Sequence, residues 1–367
     1  MTPLTHADYT VACICPLGLE QAPLEALLDE THDTLPTSHD RNSYTLGRMG
    51  THNIIIACMP TIGNNSAAIC ATQLLNDFPC VRFSLLIGIG GGIPDAEAGV
   101  DIRLGDVVVS KPEGTFGGVV QFDRGKAVSG SRGAGGFERT GMLSRPPDVL
   151  LATVKRLEAL HRRVESRIPE ILGEMLRRYP RMERGGYIYQ GSENDRLFRS
   201  GYGHAGNDDC RLCDEGEILR RRRREDSTPV IHYGTIGSSN AVIKDCDLRE
   251  RLKRDLNILC VDMEAAGLMD SFPCLVVRGI SDYADSHKND RWQPYAAAAA
   301  AAYAKELLAL VPPLDVPSLK AGRGSRLRGE TMIRAGNIGN LVNGPVTGSV
   351  VGGDEVHGDK FMQNNRC

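Results

Sequence analysis

The feature that most constrains this chain is the run from Phe83 to Ile89, which passes without interruption into Gly90, Gly91 and Gly92. A short, almost wholly apolar segment of this length reads as a strand buried on both faces, because a half-solvated strand would alternate polar and apolar side chains. Similar runs recur at Thr10–Cys15, Asn53–Met59, Asp106–Ser110, Val230–Ile236, Asn257–Val261 and Cys274–Ile280. Between them lie segments with helical spacing at Leu19–Leu28, Ser66–Leu75 and Ala296–Leu310, the last stopped by Pro312 and Pro313. Strands alternating with helices predict an α/β fold whose sheet is covered on both sides.

Leu150 to Leu176 also has helical spacing, through Leu150, Val154, Leu157, Leu160, Val164 and Ile168. Residues 179–228 then turn irregular and polar and end in the run Arg220–Arg224, so we read about 165–228 as an insertion in a domain spanning 1–313. A basic run of this kind is ordinarily solvated, and its functional alternative is contact with nucleotide phosphates. A basic linker occupies 314–335 and a Gly/Asn/Val-rich tail 336–367, too poor in large apolar residues to pack a core of its own.

Composition excludes several classes. The net charge of −3 gives no global field for nucleic acid, and no apolar run is long enough for a membrane span. The amino terminus lacks a secretory pattern. Eleven cysteines, several inside apolar runs (Cys13, Cys15, Cys58, Cys260, Cys274), read as small buried hydrophobes in a reducing, cytoplasmic setting. Cys210 and Cys213 with His204 have partial zinc-ligand spacing without an evident fourth ligand, and are read as reduced loop cysteines.

Three carboxylates stand near strand ends: Glu20, Glu264 and Asp282. Each alone is ordinarily a helix cap or a surface charge. Together they match the demands of cleaving a C–N glycosidic bond, whose transition state places positive charge on the ribose and negative charge on the departing base. One carboxylate grips the ribose hydroxyls, one delivers a proton to the base, and one deprotonates water.

Glu264 in VDMEAAG, Asp282 in VVRGISDYAD, the segment LLIGIGGGIP from Leu85 and RLGDVVVS from Arg103 together resemble the purine and uridine phosphorylase superfamily over roughly residues 10–311. The opening CICPLGLE and the block GTFGGVVQFDRGK from Gly114 are similar to the fungal branch often joined to NOD-like immune receptors. The resemblance implies a three-layer α/β/α fold with a central mixed, partly barrelled sheet. It implies that Met263 and Glu264 hold the ribose, that Asp282 protonates the purine at N7, and that Glu20 activates water, as in the nucleosidase branch. It places Gly90, Gly91, Asn240, Val242 and Ile243 around the substrate. The family's phosphate-holding Arg and Ser fall at Leu86 and Ile89, which cannot donate hydrogen bonds, so water is favoured over phosphate. A phosphate-dependent phosphorylase and a non-catalytic ligand-sensing scaffold remain the alternatives. The implied ligand is a purine nucleoside or nucleotide (adenosine, AMP or ATP), with no cofactor and no metal at the site. The implied partners are copies of the same chain, in a dimer or hexamer. Residues 336–361 resemble the short motifs through which NOD-like receptors seed amyloid-type signalling, and a disordered tail is the alternative.

Overall fold

The computed structural model describes residues 3–37, 42–129, 135–206, 209–270, 272 and 274–313. The linker 314–335 and the tail, including the receptor contact expected at 336–361, lie outside the described residues.

In chain order the elements are β1 (Val11–Cys15), α1 (Gly18–Ala26), β2 (Glu30–Thr31), β3 (Ser43–Met49), β4 (His52–Cys58), α2 (Asn64–Asp77), β5 (Phe83–Gly92) and β6 (Val107–Ser110). After these come β7 (Val119–Gln121), β8 (Gly125–Ser129), β9 (Gly135–Arg139), α3 (Asp148–His161), α4 (Ile168–Arg178) and α5 (Pro180–Arg184). The chain closes with β10 (Ile231–Ser238), α6 (Cys246–Leu256), β11 (Ile258–Asp262), α7 (Ala265–Met269), β12 (Cys274–Asp282) and α8 (Gln293–Leu308).

The main sheet runs β11-β10-β6-β12-β5-β1-β4-β3-β2, with β7 added beside β10. It closes on itself where β11 also pairs with β5, so β5, β12, β6, β10 and β11 form a small mixed barrel. The fold is thus the α/β arrangement with a partly barrelled mixed sheet. Ile14, Leu85, Leu86, Val276 and Val277 lie in its central strands with no exposed surface, which is why those strands read as unbroken apolar runs.

The glycines after Ile89 do not form a turn. They continue β5, and Gly91 and Gly92 pair antiparallel with Val261 and Cys260. A Cβ on Gly91 would stand 2.9 Å from Asp282 Oδ1 and 3.2 Å from Val261 Cγ2, so only a bare backbone lets β11 and β12 approach here.

Helix α8 packs on β5, β6 and β12, with α1, α3 and α4 around it, while α2 packs on α7, which lies against β7 and β12. The single helical stripe expected from Leu150 to Leu176 is broken into α3 and α4. Buried Glu306 of α8 accepts hydrogen bonds from His161 Nε2, Ser166 Oγ and the Arg167 N–H, which holds the chain in a bend between the two helices. Val164, expected in the apolar stripe, is consequently exposed. Within α4, Ile168, Ile171, Leu172 and Met175 recur at helical spacing and are buried, at about 1.5–3 kcal/mol for each large side chain. Part of the segment read as an insertion therefore belongs to the main core.

The run Arg220–Arg224 is not uniformly solvated. Arg224 forms a bidentate pair with buried Asp106, and Arg221 bonds Asp195 and the Tyr283 hydroxyl. Arg220, Arg222 and Arg223 are exposed.

Candidate active site

Four chain segments converge because the barrel closes. After β1, the chain turns at Pro16 into α1, and Glu20 occupies the third helical position, where its Oε2 accepts the Leu17 N–H at 2.7 Å. Its Oε1 accepts the Ile89 N–H at 2.7 Å, tying α1 to the end of β5. Glu20 thus caps its helix and also faces the cleft.

Beyond β11, Glu264 precedes the first turn of α7. The free N–H groups of that turn are satisfied by Asp262, by Ser238 Oγ for Ala266 and by Asn64 Oδ1 for Gly267. Glu264 is left to point elsewhere. Its Oε1 accepts the Gly63 N–H at 3.3 Å and its Oε2 accepts from Arg278 Nη2 at 3.0 Å. Asp282 ends β12. It accepts from Ser281 Oγ at 2.8 Å and from the Ala284 N–H at 2.9 Å, and pairs with Lys288.

Glu20, Glu264 and Asp282 all line one cleft of about 190 Å³, with Ile89, Gly90, Gly91, Val242, Ile243 and Met263. Asn240 is an exception among the expected contacts. It is absent from the lining, and its Oδ1 instead accepts the Asn64 N–H at the start of α2. Leu86 is also misplaced by the sequence reading. It is fully buried within β5, paired with Ile14 and Val276, so its apolar character says nothing about what the cleft binds. Ile89 does reach the lining, and its N–H is already taken by Glu20.

The group that sequence reasoning missed is Arg278, in the middle of β12 and fully buried. It donates to Asp262 from Nε at 3.1 Å and Nη2 at 2.6 Å, and to Glu264 from Nη2. Its Nη1 donates to the Ile89 carbonyl at 3.3 Å. The signal was a charge inside an otherwise apolar strand, which has no stable place without partners. Gly88 clears the space for it, since a Cβ there would lie 2.5 Å from both Arg278 Nη1 and Glu20 Oε1. Lys288 was also missed, and nothing in local spacing marks it.

Acids outnumber the cation here. Burial pushes the Glu20 carboxyl up to about 8, against the lowering effect of Arg278 and the Ile89 N–H, and neighbouring Glu264 pushes it further up. Burial likewise raises Glu264 although Arg278 opposes it. The result is a carboxyl that exchanges a proton near neutral pH, opposite an acid held by a lysine.

Residues 10–311 match the phosphorylase superfamily. The chain belongs to the phosphorylase superfamily. A superfamily relative, described as a nucleotide-binding leucine-rich repeat (NLR)-like protein of Hyaloscypha variabilis, is 43% identical over 313 residues; the match takes in 84% of this chain and 30% of that protein. The ATP nucleosidase Cap17 of Escherichia coli is 40% identical over 78 residues, 20% of this chain and 15% of that protein. Among solved structures, futalosine hydrolase of Helicobacter pylori has a TM-score of 0.52 at 17% identity, covering 83% of this chain and 99% of its own. The 5'-methylthioadenosine/S-adenosyl homocysteine nucleosidase of Helicobacter pylori has the same TM-score and identity, covering 82% and 98%. These likenesses are of the superfamily fold. No described helix is long and apolar enough to cross a membrane.

A larger cavity, about 600 Å³, lies elsewhere, between Arg103, Asp106, Tyr295 and the arginine run. Two of its arginines are spent on acids, Arg224 on Asp106 and Arg221 on Asp195. The smaller cleft gathers four acids, Glu20, Asp262, Glu264 and Asp282, with an apolar platform and a lysine.

Proposed function

We propose that this chain is a purine N-ribosyl hydrolase, and the observation that carries the reading is the meeting of Glu20, Glu264 and Asp282 in one cleft. The base would lie against Val242 and Ile243, with its N7 toward Asp282. As the bond between ribose C1' and the base breaks, its electron pair passes to the purine, and a proton reaches N7 from the Asp282–Lys288 pair. Glu264 accepts hydrogen bonds from the ribose hydroxyls, which strengthen as the sugar becomes cationic. Water attacks C1' and loses its proton to Glu20, giving free base and the ribosyl alcohol.

Water is preferred to phosphate as the attacking group because, beside Glu20 and Glu264 where it would stand, the lining offers no uncommitted positive charge among the described residues. Lys288 is paired with Asp282, and Arg278 lies buried on Asp262 and Glu264. A phosphate dianion would meet Glu20 and Glu264 with nothing to compensate it.

We further infer that the substrate is an adenine nucleotide and that the activity serves receptor-linked defence signalling. The names of the two sequence relatives support this reading. The test is chromatography of base released from adenosine, inosine, AMP, ATP and methylthioadenosine, each with and without phosphate. Release that is fastest with ATP and indifferent to phosphate is expected; strict dependence on phosphate would make the chain a phosphorylase.

A further inference from the structure

We propose that His204, Cys210 and Cys213 bind a zinc ion, with His287 as fourth ligand, and that this ion fastens the segment around 204–213 to the loop beside Asp282. The ligand atoms of His204, Cys210 and Cys213 already lie within 4.8 Å of one another. Zinc bonds of about 2.0–2.3 Å set tetrahedral ligands roughly 3.3–3.8 Å apart, so a small closure brings these three atoms to bonding distance, and His287 must swing in from outside that group. Nitrogen and thiolate donors together are the set that zinc favours over magnesium or calcium.

The second observation is His287. Its side chain is only 5% exposed, yet neither ring nitrogen has a hydrogen-bond partner, and the nearest acid oxygen to Nδ1, on Asp285, stands 3.6 Å away. A buried imidazole left in that state is destabilising, and a metal bond relieves it. The ring lies beside the cluster, with its centroid 5.3 Å from that of His204, and Cys210 Sγ is 4.0 Å from the His287 carbonyl. In the tautomer whose Nε2 donates to the Asp209 carbonyl at 3.1 Å, His204 Nδ1 keeps the lone pair a metal needs.

Charge also balances. On binding, the two thiols become thiolates and release their protons to solvent, and the two imidazoles stay neutral, so one zinc ion leaves the site without net charge. The reading of Cys210 and Cys213 as plain loop cysteines is replaced by this one. The consequence is local to the catalytic cleft. A cavity of about 90 Å³ has Cys210 and His287 in its wall and shares Ser281 and Asp282 with the cleft, and the His204 N–H donates to Ser286 Oγ at 3.1 Å. The ion would hold this wall in place independently of which reaction the cleft performs.

Metal content of the full chain, purified from zinc-supplemented cells without chelator, tests the proposal. About one zinc per chain is expected, with replacement by cobalt(II) giving the visible absorption of a tetrahedral thiolate site. Cys210→Ser and Cys213→Ser should lose the metal, while Cys80→Ser keeps it. His287→Gln should weaken zinc binding tenfold or more, measured against a competing chelator. The cobalt spectrum of the unaltered chain keeps the test valid even if a variant fails to fold. Metal-free protein with no cobalt spectrum, or zinc retained after both cysteines are replaced, would overturn the site. Unchanged affinity in His287→Gln would overturn the fourth ligand.

Discussion

Arg278 Nη2 lies 3.0 Å from Glu264 Oε2, and this contact joins the middle of β12 to the residue that begins α7. The same guanidinium holds Asp262 at 2.6 Å, so one fully buried cation orients two acids on the cleft floor. Its own orientation depends on the absence of a side chain at Gly88.

Removing Arg278 leaves two buried carboxylates without their counter-ion. Arg278→Met is expected to destabilise the fold by about 3–5 kcal/mol, measured by denaturant unfolding. The double variant Arg278→Met/Asp262→Asn should recover part of the loss, since one uncompensated charge has gone. No recovery would mean that packing, and not charge, dominates.

Glu20 carries a pH prediction. As the base of the proposed reaction it must be ionised, and burial pushes its carboxyl up to about 8, so kcat/KM should fall roughly tenfold per unit as pH drops below about 8. Stability changes in the opposite sense. A carboxyl raised above its unfolded value stabilises the fold at low pH, and that contribution fades as pH rises through about 8. The unfolding free energy of Glu20→Gln relative to the parent should therefore shift in favour of the variant between pH 5 and 8. The shift is at most about 1.4 kcal/mol per unit of pKa change. A difference that stays flat with pH would contradict the raised carboxyl.

Asp282 and Lys288 are expected to differ in weight. Asp282→Asn should lower kcat by roughly 10²–10⁴-fold with little change in KM, because the proton is needed only as the bond breaks. Lys288→Met removes the partner of that acid and should cost less, about tenfold. Steady-state release of base from the best substrate found separates the two, and retained turnover in Asp282→Asn would remove this residue from the mechanism.

Gly88→Ala inserts a carbon 2.5 Å from both Arg278 Nη1 and Glu20 Oε1. Both side chains must move, and overpacking of this kind costs about 1–3 kcal/mol. Activity should fall further than stability, since Glu20 lines the cleft and Arg278 holds Glu264 in it. Comparing kcat/KM with the unfolding midpoint decides it; a stable, fully active variant would show that the contact is not used.

The strands were legible because burial on both faces leaves a local trace. Val11–Cys15, Phe83–Ile89 and Cys274–Ile280 need no knowledge of their partners to be read as apolar runs. Glu20, Glu264 and Asp282 were legible as acids near strand ends. The α3–α4 bend was not, because its cause, Glu306, is remote in sequence from His161 and Arg167. Asn240, in the loop after β10, and Leu86, inside β5, were misplaced because position along a segment does not fix which remote partner a side chain meets.

The sequence alone determined seven strands of the main sheet, the helices at Leu19–Leu28, Ser66–Leu75 and Ala296–Leu310, and the supply of acids, since periodicity and composition act over a few neighbouring residues. Only the tertiary structure decided that β5 continues through its glycines to pair with β11, and that Arg278 finds two carboxylates in the interior. Sheet closure and charge pairing join residues far apart along the chain, and no local pattern records a contact whose energy depends on both ends.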